Sequence, residues 1–145
     1  MSDRTGREHL KACACRNLRM TTRVVTQYYD KALQSTSLRS TQLALLVDIS
    51  SREYTSVGEL ANILLMDQTT VTRNIEILKK NGYVKVKADD EDSRKRLISI
   101  TERGTAKLNE ALPLWEDAQL KIEQKIGKEK FSELLDTLAF IQGIT

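Results

Sequence analysis

The sequence predicts a mostly α-helical fold with one small β-hairpin. Only one proline and six glycines interrupt its 145 residues, so few positions break a helix. Long stretches repeat apolar residues at steps of three and four, the spacing that places side chains on one face of a helix. Two short segments instead alternate apolar and polar residues, as strands with one exposed face do.

The first predicted helix runs roughly from Glu8 to Gln34. A helix of this length extends beyond any small core, so its ends need a partner, either within the chain or from a second copy. Its apolar stripe consists of Ala14, Leu18, Thr21, Val25, Tyr28 and Ala32.

Two shorter helices follow, and each begins after a serine. Ser40 is the expected N-cap of a second helix that ends near Ser51, with Leu43, Leu46, Val47 and Ile49 facing inward. Ser56 is followed three residues later by Glu59, which has the form of a capping box. This motif predicts a third helix over Val57–Leu64.

The fourth predicted helix starts after Asp67 as its N-cap and ends before Gly82, a left-handed C-cap. Val71, Ile75 and Leu78 form its inner face. Its outer face carries Gln68, Thr69, Thr72, Arg73, Glu76 and Lys80. The third and fourth helices, joined by a tight turn, therefore form a helix-turn-helix unit.

The alternating segments Tyr83–Lys87 and Arg96–Thr101 predict a hairpin directly after this unit, which is a wing. Val84 and Val86 share one face with Ile98 and Ile100. The charged stretch between the strands is then the tip of the hairpin.

Two helices complete the chain. Thr101 caps the fifth helix, and Pro113 is expected to kink that helix rather than end it. Its long apolar stripe consists of Leu108, Leu112, Trp115, Gln119, Ile122 and Ile126. Gly127 separates it from a sixth helix over Lys128–Gln142, whose apolar face carries Phe131, Leu134, Leu135, Leu138 and Ile141.

Composition argues against several classes of protein. The net charge of +3 permits nucleic-acid binding without requiring it. One histidine and two cysteines, without the spacing of metal ligands, argue against a metal site. The sequence shows neither a phosphate-binding loop nor a hydrolase triad, so we expect neither an enzyme nor a bound cofactor. No segment approaches the roughly 18 apolar residues of a membrane helix, and the first residues lack a signal-peptide core, so we expect a soluble cytoplasmic protein.

Two stretches carry a resemblance to a known family. Residues 67–84 read DQTTVTRNIEILKKNGYV, and residues 89–104 read DDEDSRKRLISITERG, with the pattern acid-x-x-Asp-x-Arg closing on Ile-Thr-x-x-Gly. Together with the order of the elements, they resemble the MarR family of winged-helix transcriptional regulators. The resemblance implies one domain, with a winged-helix lobe over residues 36–104 and a helical dimerisation region over residues 1–35 and 105–145. It also implies a homodimer that binds pseudo-palindromic operator DNA as a repressor.

The fourth helix is the recognition helix in this interpretation, and its N-terminal half enters the major groove. Glutamine pairs with adenine, threonine contacts bases or the thymine methyl, and Arg73 is left to either a guanine edge or a phosphate. The candidate residues are Gln68, Thr69, Thr70, Thr72 and Arg73.

The wing supplies a second set of candidate DNA contacts. Arg94 stands at the family's arginine position, where it is expected to enter a narrow minor groove with Asp92 bracing its guanidinium. Lys95 and Arg96 are expected to bind phosphates. The acids at positions 89–91 would repel phosphate, which keeps open a winged-helix module that binds a protein partner instead of DNA.

The dimer is expected to form through the apolar stripes of the first, fifth and sixth helices, although each residue is equally suited to an intrachain core. The candidates are Leu10, Leu18, Trp115, Ile122, Phe131, Leu134 and Leu138.

The releasing signal has two candidate sites. Cys15 stands at the reactive position of the family's organic-peroxide sensors, with the basic side chain of Arg19 one turn later, although a small buried hydrophobe is the favoured interpretation. Cys13 and Cys15 would point apart on a helix and could not pair. The alternative is a small aromatic or phenolic effector in a cleft faced by Tyr29 and by Arg16, Arg19 and Arg23. A thiol peroxidase is a third, weaker hypothesis, because no resolving cysteine follows.

Overall fold

The computed structural model describes residues 5–145, so residues 1–4 of the predicted dimerisation region lie outside the description. No helix within the described part is long and apolar enough to cross a membrane. The described chain forms α1 (Gly6–His9), α2 (Ala14–Ala32), α3 (Ser40–Ser50), α4 (Val57–Leu64), α5 (Gln68–Lys80), β1 (Val84–Ala88), β2 (Arg96–Ile100), α6 (Glu102–Ile126) and α7 (Lys128–Gln142). Two short 3-10 helices cover Leu10–Ala12 and Gln34–Thr36.

The prediction of one continuous first helix was wrong. The backbone of Cys13 is extended, with φ −65° and ψ 124°, and it separates α1 and its 3-10 turn from α2. The side-chain amide of Asn17 donates to the carbonyls of Lys11 and Cys13, each at 2.9 Å. A side chain that bonds the backbone in this way competes with helical hydrogen bonding, and this gives the break a local cause.

Three of the four predicted N-caps are confirmed. Ser56, Asp67 and Thr101 each accept a hydrogen bond from the backbone N–H three residues later. Ser40 is instead the first residue of α3, and its N–H donates to Asp30 Oδ1 at 2.7 Å. A carboxylate on α2 therefore satisfies the start of α3, which no local pattern indicates.

The core lies between α3, α4, α5, the hairpin and the first half of α6. Val71, Ile75 and Leu78 are buried, as predicted for the inner face of α5. Val47 was wrongly placed inside, since its side chain is 41% exposed, while Leu45 is fully buried. The core side of α3 is therefore rotated from the predicted stripe.

The hairpin places Val84 opposite Ile100 and Val86 opposite Ile98, so these four residues share one face, as predicted. Thr55 adds a third, short partner to this sheet. Its N–H donates to the carbonyl of Ile98 at 2.9 Å, and the N–H of Ile98 donates back at 2.8 Å. The wing is thus tied to the segment that precedes α4, in addition to α5.

The start of α6 is locked onto the end of the helix-turn-helix unit. Thr101 Oγ1 donates to the carbonyl of Gly82 at 2.6 Å, and the Thr101 N–H donates to the carbonyl of Tyr83 at 3.0 Å. Gly104 packs so closely that an added Cβ would lie 2.0 Å from the carbonyl oxygen of Tyr83. The helix then continues through Pro113, which does not end it, as predicted.

Substituting Gly104 tests this packing. Gly104→Ala should destabilise the protein by about 3 kcal/mol, the upper range for overpacking, because the new methyl group meets backbone atoms that cannot rotate away. Urea unfolding followed by circular dichroism measures the change in the free energy of unfolding.

Gly58→Ala is the matched control. Gly58 lies in α4, and its added Cβ would meet neighbours only at an ordinary 4.0 Å. Alanine is the better helix former by about 0.5–1 kcal/mol, so this variant should be as stable as the wild type or more so. Equal stability of the Gly104 variant and the control would refute the close packing of α6 on Tyr83.

Candidate nucleic-acid interface

The outer face of α5 is exposed, while its inner face is anchored in the core. The side chains of Gln68, Thr69, Thr72 and Arg73 are exposed, and Val71, Ile75 and Leu78 hold the helix from behind. Burial on one side fixes which side chains the helix presents, so these polar groups have a defined direction.

Thr70 differs from the other predicted contacts on α5. It is half-buried, its N–H donates to Asp67 Oδ1 at 2.8 Å, and its hydroxyl donates to Asp67 Oδ2 at 2.7 Å. These two bonds hold the pKa of Asp67 below its usual value. The hydroxyl proton of Thr70 is therefore used in the cap, and Thr70 is not positioned like its four neighbours.

The wing tip exposes its three basic residues, Arg94, Lys95 and Arg96. Asp92 does not brace the guanidinium of Arg94: within residues 5–145 no ion pair joins them at 4 Å or less. Its Oδ1 instead accepts the backbone N–H of Arg94 at 3.1 Å. Accepting a backbone N–H two residues later in a turn is a common role for aspartate. The guanidinium of Arg94 is therefore left unbraced.

A second acid has a similar structural role at the tip. Asp89 Oδ1 accepts the N–H of Glu91 at 3.1 Å, and the Asp89 N–H donates to the carbonyl of Lys95 at 2.9 Å. The Lys95 N–H donates to the carbonyl of Asp92 at 3.0 Å, and this hydrogen bond closes the turn at the tip. Part of the acidic run is therefore explained by the backbone hydrogen bonds that its side chains accept.

Lys87 on β1 makes a contact that no sequence pattern indicates. Its Nζ lies 4.6 Å from the centre of the Tyr54 ring, a cation–π distance. Hydrogen bonding to the Tyr54 side chain raises the pKa of Lys87, and the charges of Asp90 and Asp89 act in the same direction. The tip acids thus have a cation of the same hairpin nearby, and the wing has a second attachment to the segment before α4.

The predicted dimer residues differ in their exposure. Leu10 and Leu134 are exposed, whereas Leu18, Ile122, Phe131 and Leu138 are half-buried. Trp115 packs partly against the core of its own chain, so this residue also serves the intrachain core. The exposed apolar surface continues on α6 and α7 with Leu120, Ile126, Leu135 and Phe140.

The three residues predicted for a signal site do not lie together. Tyr29 lines a pocket of about 400 Å³ between α2, α3 and α6. Cys15 and Arg19 lie on a separate surface with Arg16 and Arg23. Tyr29 is 14 residues beyond Cys15, about 21 Å along the helix, so one small ligand cannot contact both.

The two cysteines also differ from the prediction. Cys15 is exposed and Cys13 half-buried, so Cys15 is not the small buried hydrophobe that was favoured, and both thiols are free. Helix geometry does not set the relative directions of the two thiols, because Cys13 has an extended backbone outside α2.

A helix-turn-helix followed by a two-stranded wing defines a winged-helix protein, and comparisons with known proteins agree. The MarR family model matches residues 38–95. The transcriptional regulator MosR of Mycobacterium tuberculosis, solved in complex with DNA, is 32% identical in sequence to this chain. The match covers 91% of this chain and 99% of the MosR chain, with a TM-score of 0.74. The chain belongs to the MarR family.

Curated relatives are more distant. The regulator SarZ of Staphylococcus haemolyticus is 29% identical over 62% of this chain and 61% of its own. The repressor MprA of Escherichia coli K12 is 30% identical over 58% of this chain and 49% of its own. The chain therefore spans only about half to three fifths of these two proteins. All three relatives are named as transcriptional regulators, the class that the sequence favoured over an enzyme.

The cap of α5 predicts a pH-dependent stability. Asp67→Asn should lower the melting temperature at neutral pH, because it removes the negative charge that accepts two hydrogen bonds at a helix N-terminus. The folded-state pKa of Asp67 is lowered, so its contribution is complete above the ordinary carboxyl pKa and lost as pH falls through the lowered value. Thermal unfolding at a series of pH values measures this loss.

Asp136→Asn on α7 is the control, since that exposed carboxylate makes neither hydrogen bond nor ion pair within residues 5–145. The melting temperatures of the wild type and Asp67→Asn should converge at strongly acid pH. If their difference instead stays constant, the negative charge of Asp67 does not stabilise the cap.

Proposed function

We propose that this protein is a homodimeric, DNA-binding transcriptional repressor of the cytoplasm. The observation that carries the proposal is one lobe that presents both an exposed polar face on α5 and three exposed basic residues at the wing tip. The two elements are attached to a common core, through β1, Thr55 and the buried face of α5. A fixed spacing between a helix and a hairpin is what simultaneous contact with two grooves of DNA needs.

Some of these side chains are suited to base-specific contacts and others to phosphate contacts. Gln68, Thr69 and Thr72 on α5 suit hydrogen bonds and methyl contacts to base edges, and Arg73 suits a guanine edge or a phosphate. Lys95 and Arg96 suit phosphates, which give affinity without sequence information. Thr70 and Asp67 serve the same interface indirectly, since their cap fixes where α5 begins.

Arg94 is the proposed minor-groove contact. The backbone N–H of Arg94 donates to Asp92, and this hydrogen bond fixes the turn that carries Arg94. The guanidinium of Arg94 has no carboxylate partner among the described residues. A narrow minor groove concentrates negative potential and would supply that partner. Asp92 therefore supports Arg94 through the backbone.

The homodimer is supported by apolar surface that one chain leaves exposed. Leu10, Leu134 and Phe140 are 59%, 41% and 75% exposed, and they lie on the helical region outside the winged lobe. Several large apolar side chains exposed in one region of a chain are suited to being covered by a second copy. A two-fold dimer would place two α5 helices about 34–36 Å apart, one turn of DNA.

The signal we propose is a small molecule that binds in the Tyr29 pocket. The pocket is lined by α3 of the winged lobe and by α2 and α6 of the helical region, so a ligand there contacts both. A ligand that prefers one arrangement of these parts shifts the spacing of the two α5 helices. CouR of Rhodococcus jostii, 25% identical with a TM-score of 0.75, has been solved with p-coumaroyl-CoA bound. An oxidative signal is the second candidate, because Cys15 is exposed beside basic residues.

A protein-binding winged helix is the other candidate function. The exposed acids Asp90 and Glu91 favour it, since neither has a hydrogen-bonding role for its side chain within residues 5–145. Salt distinguishes the two functions, because DNA affinity falls steeply with salt concentration through counterion release.

Arg94→Ala should weaken binding to a DNA site selected from random duplexes by about tenfold or more, because it removes a charged contact from the minor groove. Fluorescence anisotropy on the selected duplex measures the affinity. Arg23→Ala is the matched control on α2, away from the winged lobe, and should bind like the wild type.

Equal affinities of the Arg94 variant and the wild type would refute the role of the wing. If no duplex is enriched, and affinity for mixed DNA does not change with salt, the protein does not act through DNA and the protein-binding function is favoured.

A further inference from the structure

The Tyr29 pocket has a chemical character that narrows its ligand. One wall is a single face of α3, because its residues recur at steps of three and four: Ser40, Leu43, Ala44, Val47 and Asp48. The opposite wall consists of Leu112 and Trp115 from α6 and Tyr29 from α2. At about 400 Å³ the pocket has the size that small organic ligands occupy in proteins.

The charge of this lining is negative. Asp48 is its only acidic residue, and no lysine, arginine or histidine lines the pocket. The Tyr29 hydroxyl donates to Gln119 Oε1, and burial, followed by the neighbouring Tyr28, raises the pKa of Tyr29. Tyr29 therefore stays neutral, and Asp48 is the one charged residue of the lining, with Arg52 as its ion-pair partner at 3.8 Å from outside the pocket.

The carboxylate of Asp48 is incompletely paired. Its side chain is 24% exposed, and it accepts no hydrogen bond from residues 5–145. Arg52 approaches it, but Nη1 lies 3.8 Å from Asp48 Oδ1, beyond hydrogen-bond distance. The same Nη1 donates to the backbone carbonyl of Asp48 at 3.0 Å and to Ser51 Oγ at 3.1 Å. Arg52 thus leaves room for a second cation.

We infer that the pocket binds an organic cation with an aromatic or apolar body. The carboxylate of Asp48 would pair with the positive group, and the rings of Tyr29 and Trp115 would add cation–π attraction. Leu43, Val47 and Leu112 would cover the apolar body. An aromatic acid, in contrast, would bring a second negative charge beside Asp48 with no lining base to neutralise it.

This ligand class rests on the proposed function only for its regulatory consequence. Asp48 belongs to α3 and Trp115 to α6, so a cation held between them would connect the winged lobe to the helical region. Such a ligand would then lower affinity for the selected DNA.

Trp115 provides the test, because it is the only tryptophan of the chain and lines the pocket. Its fluorescence is titrated with three probes of similar size: 1-methylquinolinium, neutral 2-methylquinoline and anionic 2-naphthoate, with calorimetry as the second readout. We expect the cation to bind about tenfold more tightly than either other probe, a preference of about 1.4 kcal/mol.

Three variants separate charge from shape. Asp48→Asn should abolish most of the preference for 1-methylquinolinium, whereas Arg52→Gln should strengthen it by removing the competing cation. Asp117→Asn, the same change on the exposed Asp117–Lys121 pair of α6, should have no effect.

Tighter binding of 2-naphthoate, a preference that survives Asp48→Asn, or no binding of any probe would overturn the inference. DNA affinity of the ligand-free wild type is measured separately, so the two proposals fail independently. DNA binding without a cation preference contradicts only the inference, and a cation preference without DNA binding contradicts only the proposed function.

Discussion

The contact between the start of α6 and the end of the helix-turn-helix unit is the constraint on which the rest of the molecule depends. Within a few residues, Tyr83 donates its N–H to Leu78 of α5, accepts from Thr101, and lies against Gly104. Helix α5, the first strand of the wing and α6, the longest helix within residues 5–145, therefore meet at one point. Because a side chain at position 104 has no room, their relative positions are set by backbone packing and have little freedom to adjust.

We propose that this chain both contacts DNA and responds to a ligand. The apolar core lies between α3, α4, α5, the hairpin and the first half of α6, so α5 and the hairpin are held from behind. The helix α6 extends from that lobe past the Tyr29 pocket into the apolar surface that we assign to the dimer. A ligand between α3 and α6 would contact both parts, and we propose that it changes the position of α5 in this way.

Local features of the structure could be predicted from the sequence, and contacts between distant segments could not. The caps of α4, α5 and α6, the inner face of α5 and the shared apolar face of the hairpin depend on near neighbours and on periodicity. The break at Cys13 was missed because it depends on the particular side-chain bonds of Asn17. The Thr55 bridge and the Lys87–Tyr54 contact join residues more than thirty positions apart, and nothing local indicates them. Asp92 was expected to contact the guanidinium of Arg94, but it accepts the backbone N–H of that residue instead.

The central claim is that α5 and the wing contact two different grooves of the same DNA site. Methylation interference on the selected duplex tests it directly, because dimethyl sulfate modifies guanine N7 in the major groove and adenine N3 in the minor groove. The account predicts that guanine methylation blocks binding at two positions about one helical turn apart, and that adenine methylation blocks it at flanking positions. Interference confined to one groove, or absent from both, would contradict it.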